Sequence, residues 1–225
     1  MRIADNLSTI KQQILDSALK AGRNPVEVSL IAVTKNVSAA RANECIAAGI
    51  FDLGENRVQE LQNKLPEVPE ARWHLIGHLQ TNKVKHIIGR VALVHSLDRW
   101  TLAEEIDKKS QAAGIVTPVL VQVNVAGEET KFGLELQEAR DFVAEAAGLS
   151  GIAIQGLMTI APFVTNPEEV RPVFRQLKGL AHDLQDIPGV RMDQLSMGMT
   201  NDYKVAIEEG ATLIRIGTAI FGSRY

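Results

Sequence analysis

The sequence predicts an α/β protein built as a single (β/α)₈ barrel, or TIM barrel, with an extra helix at its N-terminal end. Short runs rich in β-branched residues alternate with amphipathic segments through all 225 residues, and we count about eight such pairs. The first of the runs, VSLIAVTK, is almost wholly apolar, which is typical of a parallel strand buried on both faces. No linker interrupts the alternation, so we expect one domain over residues 1–225. An open, doubly wound sheet would show the same alternation and is the alternative architecture.

The order of the elements follows from these patterns. Ile3, Leu7, Ile10 and Ile14 recur at helical spacing with polar residues between them, which predicts an amphipathic first helix outside the barrel. The eight strands are predicted in VSLIAVTK, FDLGEN, RWHLIGH, VALVHSL, TPVLVQVNV, IAIQGLMTI, MDQLSM and TLIRIG. The helices between them are predicted in SAARANECIAAG, VQELQNKL, TNKVKHIIG, WTLAEEIDKKSQAAG, LQEARDFVAEAAG, PEEVRPVFRQLKGLAHDLQ and TNDYKVAIEEG, with a last turn in TAIFG.

The composition excludes several classes of function. The net charge is −3, so the chain lacks the basic face with which proteins displace counterions from nucleic acid phosphates. No run approaches the roughly 18 apolar residues of a membrane span, and the N-terminal segment lacks the apolar region of a secretion signal. The one cysteine, Cys45, allows no disulfide framework. We therefore expect a cytoplasmic, monomeric protein whose partner is a small molecule rather than nucleic acid or a membrane.

In a parallel barrel the active site forms at the carboxyl ends of the strands, so the residues just past each apolar run are read together. Lys35 is the one lysine among them. Its ammonium either reaches solvent, as lysines usually do, or forms a Schiff base with an aldehyde or ketone, for which partial desolvation lowers the pKa. The remaining strand-end residues are Asn56, His78, Ser96, Asn124, Met158 with Thr159, Ser196 with Gly198, and Gly217 with Thr218.

Two loops near the end of the chain predict an anion site. SMGMT follows the seventh predicted strand and IGTAIFG follows the eighth, where barrels frequently bind phosphate. Ser196 offers a hydroxyl, and Gly198 lets the backbone approach an anion closely. Gly217 and Thr218 open a one-turn helix whose N–H groups point the same way. For either loop alone, ordinary strand-to-helix turn chemistry is the alternative explanation.

Arg215 is a permanent cation inside the otherwise apolar strand TLIRIG. Strand alternation places it on the same face as Leu213, with Ile214 and Ile216 on the other. A buried arginine needs a partner, which is either an internal ion pair or a ligand's phosphate or ring nitrogen.

Three further motifs carry less weight. HLIGH spaces His74 and His78 four apart, but it lacks the glutamate of a zinc helix and reads as a strand, so we predict no metal site. GTAIFG has the outer spacing of a phosphate loop, yet Ser223 and Arg224 stand where Lys and Ser/Thr are required. The basic residues of the segment NKVKHIIGR indicate a solvated helix face rather than a nucleic-acid patch.

The motifs AVTK, GENRVQE, WHLIGHLQTNK, QVNVAGEETKFG, GLMTIAP and LSMGMTNDYKVAIEEGATLIRIGTAIFG resemble those of the pyridoxal phosphate homeostasis protein family, also called YggS-like proteins. The resemblance spans nearly the whole chain and implies a barrel similar to the barrel domain of alanine racemases. It implies pyridoxal 5′-phosphate (PLP) held as a Schiff base on Lys35, with Arg215 near the pyridine nitrogen or the phosphate. The other expected cofactor contacts are Ser196, Gly217 and Thr218 at the phosphate, Asn56 and His78 beside the ring, and Met158 and Gly198 nearby.

The resemblance also implies a carrier or regulator of vitamin B6 and amino-acid balance without established catalytic activity, with PLP-dependent apo-enzymes as possible recipients. Two other classes stay open. A racemase needs a second base, which similar racemases take from a tyrosine of a separate domain, and only Tyr203 and Tyr225 occur here. A Schiff-base aldolase acting on a sugar phosphate needs a carboxylate near its lysine, and Glu55 is the one candidate.

Overall fold

The structure is a closed barrel of eight parallel strands, each paired with the next in chain order and the last with the first. It is a computed structural model that describes residues 2–128 and 130–222; Ser223, Arg224 and Tyr225 lie outside these ranges. The predicted (β/α)₈ barrel is confirmed, and the open doubly wound sheet is wrong. The strands are β1 (Ser29–Val33), β2 (Asp52–Glu55), β3 (Arg72–Leu75), β4 (Leu93–Leu97), β5 (Thr117–Gln122), β6 (Ile152–Met158), β7 (Gln194–Ser196) and β8 (Leu213–Ile216).

Helices surround the barrel. One predicted α-helix, in TNKVKHIIG, is wrong: the segment is a 3₁₀ helix over Thr81–His86, because its N–H groups bond three residues back, as from Lys83 to Gln80 at 2.9 Å. Further 3₁₀ helices cover Pro25–Glu27 and Pro167–Val170. The α-helices are α1 (Ile3–Lys20), α2 (Ala39–Ala47), α3 (Val58–Lys64), α4 (Trp100–Ala112), α5 (Ala139–Ala146), α6 (Arg171–Asp183), α7 (Tyr203–Glu208) and α8 (Thr218–Phe221).

Strand alternation divides the apolar side chains into two cores. On β8, Ile214 and Ile216 pack outward into the large core beneath the helices, whereas Leu213 packs inward. The alternation predicted for this strand is therefore confirmed. The inner core is small and consists of Ile31, Leu93, Leu120, Met158 and Leu213.

The first helix packs on the last two. The apolar face predicted for α1 is buried, and its polar residues reach the C-terminal elements. Asn6 Nδ2 donates to the Ile220 carbonyl at 2.8 Å, and the Tyr203 hydroxyl donates to Gln13. Just past α1, Arg23 donates to the carbonyl of Ile207 at 2.7 Å. These contacts support α7 and α8 from behind; α7 follows the predicted anion loop SMGMT, and α8 lies within the other, IGTAIFG.

None of the helices in the described ranges combines the length and the apolar character that crossing a bilayer requires.

Candidate functional site

A cavity of about 610 Å³ opens at the carboxyl ends of the strands. Its volume lies within the range of about 300–1,000 Å³ usual for small-molecule sites. Five of the residues predicted from the sequence line it: Asn56, His78, Arg215, Gly217 and Thr218.

Lys35 lies two residues beyond β1 and is half-buried, and it is not among the residues that line the cavity. The β1–β2 pairing continues past the strand end, because the N–H of Thr34 donates to the Gly54 carbonyl at 2.9 Å. Alternation therefore gives Lys35 the same side as Val33, which lines the cavity. The Lys35 ammonium has no hydrogen bond or ion pair with any described residue. The lysine is thus available to a ligand.

A buried ion pair fixes the backbone before Lys35. Lys64 Nζ, from the end of α3, lies 2.6 Å from Glu55 Oε1 and donates to the Thr34 carbonyl at 2.7 Å. The Thr34 hydroxyl donates to the same Glu55 oxygen at 2.5 Å. Burial raises the pKa of Glu55, and the bonds from Lys64 and Thr34 oppose that rise. Glu55 therefore acts as the ion-pair partner of Lys64 and does not line the cavity.

The residue after Lys35 is held as well. Asn36 adopts the left-handed conformation with φ 56°, which asparagine tolerates better than most residues. Its N–H donates to Glu60 Oε2 at 2.8 Å, and Glu60 also lies 3.7 Å from Lys64. Side chains of α3 thus fix the backbone on both sides of Lys35.

Asn56 and His78 lie on adjacent strand ends at the cavity wall. A side chain at Gly77 would place its Cβ 2.4 Å from the Asn56 carbonyl oxygen, so only glycine permits this approach. The His78 ring stacks on Phe132 with centroids 4.0 Å apart, and its Nδ1 lies 3.2 Å from Asp98. In a neutral His78 ring, donation from Nδ1 to the Asp98 carboxylate leaves Nε2 as an acceptor. Phe132 was not predicted as a site residue, because it comes from the loop after β5.

The loops after β7 and β8 meet at the cavity. The Thr200 hydroxyl accepts a bond from the Ala219 N–H at 3.4 Å, and both Thr200 and Thr218 line the cavity. Gly198 has φ 92°, and a Cβ there would lie 2.6 Å from that of Ala206, so this glycine serves the packing of the loop on α7. Thr200 was not predicted, although its position in SMGMT was a usable signal.

Ser196 and Met158 lie behind the cavity wall. Met158 is fully buried in the inner core. The Ser196 hydroxyl is fully buried and bonds to Arg215 and to His95 Nδ1, the latter at 2.9 Å. The structure therefore does not bring these two side chains or Gly198 to the cavity lining.

Arg215 is the buried cation of the cavity. Its guanidinium donates to Ser196 Oγ and to the Thr159 carbonyl, the latter at 2.8 Å. Within the described residues no carboxylate lies within 4.0 Å of it, so a direct internal ion pair is not its partner there. Burial lowers the pKa of Arg215 to about 10, and the charge of Asp202 opposes this shift.

Asp202 is an acid of the cavity that was not among the predicted strand-end residues. Asp202 is buried and lines the cavity, and its Oδ1 accepts the Met199 N–H at 2.6 Å. Burial raises the pKa of this carboxyl, while the bond from Met199 and the charge of Arg215 oppose the rise. Its position just before the helix YKVAIEEG, where Asp is favoured, was a signal that the sequence offered.

Fold and site together define a class of protein: (β/α)₈ barrels with a ligand cavity between a lysine after the first strand and two small-residue loops after the seventh and eighth. The chain belongs to the alanine racemase N-terminal domain family, whose sequence profile matches residues 2–225. It is similar over its full length to proteins named pyridoxal phosphate homeostasis protein. That of Aquifex aeolicus is 44% identical over 100% of this chain and 99% of its own. That of Pseudomonas aeruginosa is 37% identical over 99% and 96%.

Solved structures agree with the barrel. PipY of Synechococcus elongatus with PLP bound superposes with a TM-score of 0.86, at 36% identity over 98% of this chain and 100% of that one. A protein of unknown function from Bifidobacterium adolescentis has a TM-score of 0.93 at 35% identity, over 97% and 94%. An alanine racemase of Clostridium difficile has a TM-score of 0.74 at 15% identity, which shows a shared fold.

Proposed function

We propose that this protein binds PLP in the cavity, holds it through Lys35 and releases it to other proteins, without turning over amino acids. The observation that carries the proposal is a lysine without a polar partner among the described residues, which strand alternation gives the same side as the cavity-lining Val33, together with a buried arginine of the cavity that has no carboxylate partner there. The names of the full-length relatives and the PLP bound to PipY support it.

The side chains present fit this cofactor. PLP is an anion with a reactive aldehyde, and when bound it supplies an electrophile and an electron-withdrawing ring. Lys35 would bond to the aldehyde, and Arg215 would face the pyridine nitrogen or the phosphate. Gly217, Thr218 and the unpredicted Thr200 would hold the phosphate with N–H and hydroxyl groups. Asn56 and His78 would flank the ring. We keep three residues as predicted site residues that act from behind the cavity lining: Met158, Ser196 and Gly198.

The surroundings of the cavity favour holding over catalysis. The usual partner of the pyridine nitrogen in carbanion chemistry is a carboxylate, and an arginine cannot accept that proton. The second base required by a racemase is not supplied by Tyr203, whose hydroxyl donates to Gln13 of α1 and which does not line the cavity. Phe163 is 84% exposed at the cavity edge, so the site is open to an exchanging partner. This arrangement suits a monomeric cytoplasmic carrier that supplies apo-enzymes.

The test compares exchange with transfer. We expect the PLP-loaded protein to exchange the α-proton of alanine for deuterium no faster than free PLP does, and to restore activity to a PLP-dependent apo-enzyme. Saturable exchange far above the rate with free PLP, lost in Lys35→Ala, contradicts the proposal and favours the racemase alternative. Failure to bind PLP, seen as no visible absorption after addition of the cofactor, contradicts it entirely.

The Arg215→Gln variant is expected to weaken PLP binding by about 1.5–3 kcal/mol, the usual range for a hydrogen bond to a charged group. Its amide keeps a donor but lacks the charge. Dissociation constants from absorbance titration measure the effect. Arg175→Gln is the control, because Arg175 pairs with Glu209 at the surface at 2.9 Å and lies outside the cavity. Equal affinities of the Arg215→Gln and control proteins would show that Arg215 has a structural role only.

A further inference from the structure

A row of polar side chains runs through the barrel interior from the cavity to the opposite end. Arg215 bonds to Ser196, whose hydroxyl lies 2.9 Å from His95 Nδ1. His95 Nε2 lies 3.0 Å from His74 Nδ1, and His74 Nε2 lies 3.1 Å from Asp52 Oδ1. Because Asp52 begins β2, the row ends at the amino-terminal end of the barrel. We call these five residues the interior chain.

Arg215 fixes the direction of every hydrogen bond in the interior chain. A guanidinium can only donate, so the Ser196 oxygen accepts from it. The Ser196 hydroxyl is fully buried, and its other partner within the described residues is His95 Nδ1, so its proton goes there. Leaving that proton without an acceptor would carry the full desolvation penalty of a buried donor. His95 then has its own proton on Nε2 and donates to His74 Nδ1. His74 likewise has its proton on Nε2.

The Asp52 carboxylate, at the other end of the interior chain, requires the same direction of hydrogen-bond donation. Burial raises the pKa of Asp52, but the hydrogen bonds from His74 and Arg72 and the charge of Arg72 outweigh that effect and hold the pKa below its ordinary value. The ionised carboxylate accepts from His74 Nε2 and, at the surface, from Arg72 Nε at 2.9 Å. Burial, with the His74 imidazole and the Arg215 guanidinium nearby, holds the pKa of His95 well below its usual range, in agreement with a neutral ring.

We propose that Asp52, His74 and His95 are positioning residues for Arg215. Together with Ser196 they connect its guanidinium to the distant Asp52 carboxylate, and in every hydrogen bond of the row the donor is the residue nearer to Arg215. The interior chain links the charges of Arg215 and Asp52 through three neutral groups, which are Ser196, His95 and His74. It holds one guanidinium nitrogen against Ser196 while another donates to the Thr159 carbonyl, and the N–H groups left over are available to the ligand. Asp202, the other acid that acts on Arg215, already accepts the Met199 N–H. The part of the proposal that concerns PLP affinity rests on the proposed function.

The tautomers of the two histidines test the chain without any cofactor. In the protein free of PLP and labelled with ¹⁵N, we expect the imidazole spectra of His74 and His95 to show Nε2–H with an unprotonated Nδ1. His74→Gln and His95→Gln assign the signals. Nδ1–H at either residue overturns the proposal, because the chain would then run in the opposite direction or be broken.

Two variants at the far end separate the interior chain from the surface ion pair. Asp52→Asn and Arg72→Gln both break the Asp52–Arg72 pair, but only Asp52→Asn removes the acceptor charge of the chain. We expect Asp52→Asn to mix the histidine tautomers and to raise the PLP dissociation constant about three- to tenfold. Arg72→Gln should leave both unchanged. Equal effects of the two variants, or none from Asp52→Asn, overturn the proposal. A wild-type protein that binds no PLP refutes the proposed function instead, and the tautomers still decide on the chain.

Discussion

Replacing Lys35 with alanine is expected to abolish covalent attachment of PLP and the visible absorption that accompanies it, while weak binding persists. The Lys35 amine can bond to the aldehyde, and the loops that would hold the phosphate are untouched. The measurement is the intact mass after borohydride reduction, with the absorption spectrum beside it.

Lys85→Ala is the matched control, because Lys85 is an exposed lysine at some remove from the cavity lining. It should show the same mass increase of one reduced cofactor as the unaltered protein. If Lys35→Ala carries that increase in full, another lysine forms the bond and the assignment of Lys35 is wrong.

The Lys64→Ala variant is expected to lower the free energy of unfolding by about 3–5 kcal/mol, which is the usual result of leaving one member of a buried ion pair without its partner. Glu55 would stay fully buried with a charge and no ammonium beside it. The Thr34 carbonyl would lose its bond as well, so we also expect weaker PLP binding. Equilibrium unfolding in urea measures the first effect.

Lys20→Ala is the control, because it shows how much free energy of unfolding is lost with an exposed ion pair. Lys20 lies 2.7 Å from Glu208, but its side chain is 71% exposed, and such pairs contribute about 0–1 kcal/mol. A loss in Lys64→Ala no larger than in Lys20→Ala would mean that water reaches the Glu55–Lys64 pair. Replacing both Glu55 and Lys64 by apolar residues should cost less than Lys64→Ala alone, because no buried charge is then left unpaired.

The fold could be predicted because each strand carries its own signal. Runs such as VSLIAV and TLIRIG are short, β-branched and apolar, and their alternation with helices defines parallel topology. The sequence could not distinguish the α-helix expected at TNKVKHIIG from the 3₁₀ helix over Thr81–His86, because both place apolar residues at similar spacing.

The candidate site was predictable where a residue's position on its strand decides its location. Lys35, Arg215, Gly217 and Thr218 follow or end strands, so they reach the carboxyl end of the barrel. Whether a side chain at a strand end lines the cavity or is buried behind the lining residues was not predictable. Ser196 ends β7 yet faces Arg215 and His95, and which of SMGMT's hydroxyls meets the cavity depends on how the loop turns at Gly198.

The side chains that contact these residues could not be predicted from the sequence, for a different reason. The ion pair of Glu55 with Lys64 and the stacking of His78 on Phe132 join different elements, and such contacts leave no periodic pattern in one sequence. The pairing of His74 with His95 is of the same kind.

The pairing of β1 with β8 has a consequence for folding. Its contacts, from Ser29 with Leu213 to Ala32 with Ile216, join segments separated by most of the chain, so closing this seam has the largest loop-closure cost of the strand pairings and we expect it to occur late. The lysine lies on one side of this seam, and Arg215 and the last loop lie on the other. The cavity therefore does not exist in a partly folded chain or on a ribosome that has yet to make β8. A ligand that bridges the seam selects closed barrels and, by mass action, opposes their reopening.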